Sequence, residues 1–444
     1  MSMLSGDVTL RNARVHGTHL GAPVAPLMGA ADAGGFYRAD IALRGGMIAT
    51  VTPAAGDAGG CGPSSDLEGP DLEGRIVFPT LVDCHTHLDK GHIWARQPNP
   101  DGSFGGALAA VASDSAANWS ADDLSARMDF ALRCAFAHGT SALRTHIDSQ
   151  SPQDAISWPV FEQMRATWSG RIDLQGVCLV GIEALRDEAG FAALAQRVKA
   201  AGGVLGAVTY MVPDIEALVD RIFVTAMELG LDLDFHADET GDPDAMSLRI
   251  IAQAALRRGF GGRVNVGHCC SLSRQPDAEA GRCLDLVAEA GISITTLPMC
   301  NLYLQDRRQD GTTPRWRGVT LVHEMRARGI AVAIASDNTR DPFYAYGDLD
   351  MIETYRMATR ILHLDHPTGD WPAAITDAPA RVMGIDAPQI AAGRSADMIL
   401  FRARSWTELL SRPQSDRIVL RGGAQIDTTL PDYSELDPLM EPSE

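Results

Sequence analysis

Eight short apolar runs, separated by longer amphipathic stretches, dominate the middle of this 444-residue chain. They cover residues 76–87, 140–147, 171–180, 204–211, 231–237, 263–268, 292–297 and 329–336. Each reads as a strand rather than a helix, being short and buried in character. Between them, segments such as Ala121–His138, Ile215–Leu229 and Ala278–Ala290 space their apolar residues helically. Strand and helix in alternation predict parallel strands joined by helical crossovers. Eight such units over residues 75–384 predict an α/β chain built on a (β/α)8 TIM barrel. An open doubly wound sheet would need a glycine-rich phosphate turn after its first strand, and the sequence has none there.

Both ends of the chain differ from this middle. Val8–Val15 and Asp40–Val51 alternate apolar and polar residues around turn glycines, and β character returns in Asp397–Phe401 and Arg417–Ile426. Loops rich in Gly, Ala, Pro and Asp fill residues 21–35 and 53–70. The expectation is a small β-sandwich assembled from residues 1–74 and 385–444, bracketing the barrel.

The chemistry lies where the expected strands end. His85-Thr86-His87 closes the first, and side chains two apart on a strand point the same way, so two imidazoles aim at one point. His236 closes the fifth, His268 the sixth and Asp337 the eighth. In a barrel, catalytic groups gather at these ends. Three nitrogens and one carboxylate from His85, His87, His236 and Asp337 suit one divalent ion, Zn2+ or Fe2+, with water in the remaining position. Locally, Asp337 also reads as a cap for a following helix. Glu239, three residues past His236, is placed to collect the water's proton and pass it on. His268 reads as a further ligand or, the ligand count being filled, as a group steadying hydroxide and the tetrahedral oxygen. His146, ending the second strand, points toward the same mouth and reads equally as structural support or a substrate contact, and Lys90, three past His87, reads as a surface lysine or a cation reaching into the pocket. Trp94, Phe104, Trp316 and Phe343 are candidate ring-stacking walls or core aromatics. His16, His19, His138, His323, His363 and His366 have no such placement.

The formal net charge of −19 repels a phosphate backbone, so a small neutral or cationic molecule is expected rather than nucleic acid. No apolar run is long enough to cross a bilayer, and the start of the chain carries no secretory pattern. Eight cysteines without paired spacing read as thiols of a reducing compartment. A cytoplasmic enzyme is expected, and assembly into homo-oligomers is left open.

Almost end to end, the chain resembles the amidohydrolase superfamily and, within it, the cytosine deaminase branch. The resemblance rests on His85-Thr-His-Leu-Asp-Lys90, Gln97-Pro98-Asn99, Arg144-Thr-His-Ile-Asp148 and Arg171-Ile-Asp-Leu-Gln175. It continues in His236-Ala-Asp-Glu239, Gly267-His268, Asn301-Leu-Tyr-Leu-Gln305, Arg317-Gly318-Val319-Thr320, Asp337 with Asp341-Pro342, and Val419-Leu-Arg-Gly-Gly423. It implies a deaminase acting on a cyclic amidine such as a pyrimidine, with ammonia released. One metal would sit on His85, His87, His236 and Asp337, Glu239 would shuttle a proton to a ring nitrogen, and His268 with Asp337 would activate water. Two positions depart from the branch. Where a glutamine grips the pyrimidine near the end of the third strand, this chain has Val180-Gly181-Ile182, with Glu183 beyond. Where a second acid follows the metal aspartate, it has Asn338. Both lie in the substrate shell, with Lys90, His146 and Phe343, so other rings stay open, N-substituted aminotriazines of the N-isopropylammelide type among them. A two-metal cyclic amidase would bridge its metals with a carboxylated lysine, and no lysine ends the third to fifth strands. A non-catalytic scaffold would have lost ligands, and none is lost.

Overall fold

The computed structural model describes residues 6–22, 24–54 and 68–440. Among these, eight parallel strands make a ring: β1 (Leu81–Thr86), β2 (Thr140–Asp148), β3 (Asp173–Leu179), β4 (Leu205–Thr209), β5 (Leu233–Ala237), β6 (Val264–His268), β7 (Ser293–Thr296) and β8 (Val332–Ile334). β1 to β3 pair in order, and so do β4 to β8. Two seams join these arcs. At one, Val177 bridges Val204 and Gly181 bridges Val208; at the other, Thr86 bridges Asp337. The barrel is closed.

The second seam sets up the chemistry, because it lays the end of the first strand beside the end of the last. There the Asp337 N–H donates to the His85 carbonyl at 3.0 Å. Just below, Asp83 accepts from both the backbone N–H and the hydroxyl of Ser336. Crossover helices occupy the amphipathic stretches. Ile215–Leu229 buries Leu218, Val219, Ile222, Phe223 and Ala226, the 3.6-residue stripe its sequence presents to the barrel.

Two antiparallel sheets draw on both ends of the chain. One pairs Val8–His16, Phe36–Arg44 and Met47–Pro53; the other pairs Val77–Pro79, Met398–Leu400, Ile418–Arg421 and Ala424–Gln425. Leu10, Val15, Ile41 and Leu43 of the first share a core with Val77, Met398, Leu400 and Leu420 of the second, which makes the pair a sandwich. Of the expected loop 53–70, residues 55–67 lie outside the described residues, as do residues 1–5.

The run 76–87 is not one strand. Val77–Pro79 is an edge strand antiparallel to Met398–Leu400, and the chain passes into the barrel at Thr80. Pro79 has no N–H to give a ladder, which an edge tolerates. Both pieces are fully buried, so hydrophobicity runs through the break without a signal.

Candidate metal centre and cavity

His85 ends β1 with Thr86, His87 follows at once, His236 lies in β5, and Asp337 stands just past β8. All four are buried. The His236 Nε2 lies 3.1 Å from that of His85 and 3.2 Å from that of His87. Asp337 Oδ1 lies 3.2 Å from His87 Nε2 and 3.6 Å from His85 Nε2. Four ligands held about 2.0–2.1 Å from one ion at tetrahedral angles stand about 3.3–3.4 Å apart. The spacing fits.

Protonation fits as well. Burial, reinforced by the neighbouring imidazoles and by Lys90 at His87 and His236 or Arg144 at His85, lowers all three histidines well below their ordinary pKa, leaving neutral rings with lone pairs. Burial, against the neighbouring Cys300 thiol and with the charge of Asp341, raises Asp337 to about 8. Neither of its carboxylate oxygens has a hydrogen-bond partner. A buried acid facing three imidazole nitrogens without a donor calls for a cation, and the N3O set suits a divalent one.

The rim is held in uncommon backbone geometry. Asp238, His268, Cys269 and Asp337 all have φ between +51° and +69°, a left-handed conformation that non-glycine residues adopt where function or packing over-determines them. Gly267 in β6 is needed for a different reason. A Cβ there would stand 2.9 Å from His85 Cε1, so only glycine leaves room for the ligand ring.

Several motif residues support the barrel interior instead of facing substrate. Arg144 pairs with Asp234 at 2.6 Å and donates to Gln175 Oε1 at 2.7 Å. Asn265 donates to Asp234 at 3.0 Å and accepts from Thr295 at 2.9 Å. His146 touches both this layer and the metal centre. Its ring lies 4.0 Å from that of His85 and 4.5 Å from that of His236, centroid to centroid, and its Nε2 is 3.6 Å from Asp234. A nitrogen of His146 is close enough to those of His85, His87 and His236 to join a shared cation site.

A cavity of about 960 Å3 opens onto His87, His236 and Asp337, with Lys90, Glu239, His268, Asn338 and Phe343 around them. Its outer walls include Phe104, Leu108, Val111, Leu179 and Val180. Lys90 Nζ is 2.8 Å from Asp148 Oδ1 and 5.4 Å from the Phe343 ring centroid. Burial opposes its charge, but Asp148 and Asp89 outweigh it and raise its pKa. Asn338 donates to Asp341 at 2.8 Å, and Phe104 meets Phe343 edge-to-face at 5.5 Å. Trp94 and Trp316 are not among the lining residues; Trp316 donates to Ser273. Glu183 is also outside the wall. It sits half-exposed on the turn Ile182–Arg186, paired with Arg186 and accepting from the Tyr210 hydroxyl at 3.1 Å. Among the described residues no helix begins between Asp337 and Met351, so the capping alternative for Asp337 falls away.

Sequence reading gave no role to Asn301 and Gln305, on the helix Pro298–Leu304 and just past it. Asn301 Nδ2 is 2.9 Å from His268 Nδ1 and 3.4 Å from Glu239 Oε1, while Gln305 donates to the Glu239 carbonyl at 3.2 Å. The one available signal was their place in the motif Asn301–Gln305. Gly318 lets the following loop close on this helix, since a Cβ there would meet the Asn301 carbonyl oxygen at 2.5 Å.

The model of the amidohydrolase family (Amidohydro_3) matches residues 176–426. A pterin deaminase from Rhizobium rhizogenes is 54% identical, over 91% of this chain and 92% of that protein. The chain belongs to the amidohydrolase family. Solved structures share its fold. A 5-methylcytosine deaminase from Klebsiella pneumoniae, 23% identical, superposes with a TM-score of 0.78 over 94% of this amidohydrolase and 97% of that chain. An N-isopropylammelide isopropylaminohydrolase from Burkholderia multivorans, 26% identical, gives 0.72 over 95% and 98%.

Proposed function

We propose that this amidohydrolase is a pterin deaminase, removing the exocyclic amine of a pterin with one Zn2+ or Fe2+ ion. The observation that carries this reading is the 54% identity to a pterin deaminase across nearly the whole of both chains. A pterin is a 2-amino-4-oxopyrimidine fused to a pyrazine, so its reacting half is a cyclic amidine. The cavity of about 960 Å3 has room for a fused ring, and its wall carries apolar Val180 in the region where a pyrimidine-gripping glutamine was expected.

His85, His87, His236 and Asp337 hold the ion in this reading. A divalent cation there supplies the Lewis acidity that makes water nucleophilic near neutral pH. Glu239 accepts the proton released as water adds to the amidine carbon and delivers it to the adjacent ring nitrogen. Its pKa is raised well above the ordinary range by burial first and Asp337 second, against Lys90, which suits a group that takes and returns a proton. His268 donates a hydrogen bond to the new oxygen, and Asp337 takes the remaining hydroxyl proton and passes it to the exocyclic amine. The carbon–nitrogen bond then breaks as the carbonyl forms, and the protonated amine leaves as ammonia. Phe343 gives the ring a stacking face, with Lys90 and Asn338 beside it as polar contacts.

Purified protein is expected to release ammonia from pterin and to carry about one metal ion per chain. Glu239→Gln should lower turnover about 10²–10⁴-fold with metal content and circular dichroism unchanged. Ammonia release from cytosine or an N-alkylaminotriazine but not from pterin would overturn the substrate. Unchanged turnover in Glu239→Gln would remove the proton relay.

A further inference from the structure

Asn301 is fully buried, and its side-chain nitrogen faces two acceptors at once. His268 Nδ1 and Glu239 Oε1 are themselves 3.4 Å apart. An amide nitrogen carries two hydrogens, one for each acceptor. With Glu239 ionised and His268 Nδ1 unprotonated, the amide nitrogen is the atom that satisfies both, while its oxygen is buried without a partner; the orientation is assigned on that ground. With Nδ1 accepting, neutral His268 must carry its proton on Nε2. That atom is buried without a hydrogen-bond partner, on a ring that lines the cavity beside His236.

We infer that Asn301 is a positioning residue: it fixes His268 as the Nε2–H tautomer and holds Glu239 beside it, so that donor and proton carrier face the reacting carbon together. The inference rests on the proposed roles of Glu239 and His268. Its physical basis is tautomer control. A histidine can donate to a developing oxygen charge only from the nitrogen that bears hydrogen, and the bond made by the other nitrogen decides which one that is. Gln305 and Gly318 support the arrangement, one by bonding the Glu239 carbonyl, the other by letting the loop close on the Asn301 helix.

Asn301→Asp keeps the shape and removes both hydrogens. His268 should then carry its proton on Nδ1, where the new carboxylate accepts it, and present a lone pair to the cavity. The expected result is a fall in kcat of about 10–100-fold, with KM within threefold and metal content unchanged. Asn301→Ala removes the hydrogens without adding charge and decides the matter should the aspartate variant fail to fold. It should also lower kcat more than KM. A readout independent of turnover is the histidine ring 1H–15N correlation spectrum, with His268 assigned by its loss in His268→Asn. Wild type should show Nε2–H and Asn301→Asp the Nδ1–H form. Wild-type kcat in both Asn301 variants, or an Nδ1–H signal in wild type, overturns the inference. If Glu239→Gln is inactive while the Asn301 variants are intact, this inference alone fails. If Glu239→Gln is active, the proton relay fails, and the spectrum still judges the tautomer.

Discussion

At the barrel rim, His85, His87 and His236 bring three Nε2 atoms and an Asp337 oxygen to within a few ångströms of one another. In the terminal sandwich, His16 and His19 pack edge-on against Phe36, Phe78 and Trp406. Both groups are buried, and burial depresses the pKa in both: His16 to about 4, with Asp32 opposing, and His19 to about 3. The difference is convergence. The rim rings come from strands paired so that their free nitrogens meet beside a carboxylate, whereas the sandwich rings lie side by side as core aromatics. A perturbed pKa marks burial; a shared focus with a counter-charge marks a site.

The comparison breaks first at Asp337. Asp337→Asn should lose bound metal, measured by elemental analysis after dialysis, by more than the roughly 10–100-fold expected for removing a group behind a ligand. Full occupancy would mean that the imidazoles alone suffice. Gly267→Ala tests the approach of the strands rather than the ligand. Its Cβ, 2.9 Å from His85 Cε1, should turn the ring and weaken metal affinity about 10–100-fold, with turnover falling in step. A variant with unchanged affinity would show that the rim has slack. The smallest effect belongs to the sandwich. The folded pKa of His19, about 3, lies below its unfolded value of 6.5, so below pH 6.5 the unfolded chain takes up a proton that the native fold refuses. Its contribution to stability is constant above pH 6.5. Below that it is lost at about 1.4 kcal/mol per pH unit until the folded pKa is reached. His19→Leu should therefore make the acid limb of a denaturant-stability profile shallower by that slope and leave activity untouched. An unchanged limb would show that His19 is not excluded from protonation.

What was legible in the sequence followed local rules. Short, buried apolar runs alternating with helically spaced stretches predicted eight strands, and their number and crossovers predicted the ring; period-two alternation marked only the terminal strands. The residue types at those ends, His-x-His, His and Asp, pointed to a candidate ligand set of His85, His87, His236 and Asp337, with His268 beside it. Other expectations failed for equally physical reasons. Glu183 carries suitable chemistry near a strand end, but the turn Ile182–Arg186 carries it to the surface beside Arg186, and the run 76–87 hid a break between an edge strand and the barrel. Asn301 was passed over because a neutral amide on a short helix has no signature until its two acceptors are placed in space.

Sequence alone therefore determined the barrel, the terminal β strands and which side chains could bind a cation, because each depends on spacing along one strand or helix. Only the tertiary structure decided which of those side chains share a focus. That depends on closure of β8 onto β1 and on the helix after β7 reaching back to β5 and β6, contacts between segments far apart in the chain that no local pattern encodes.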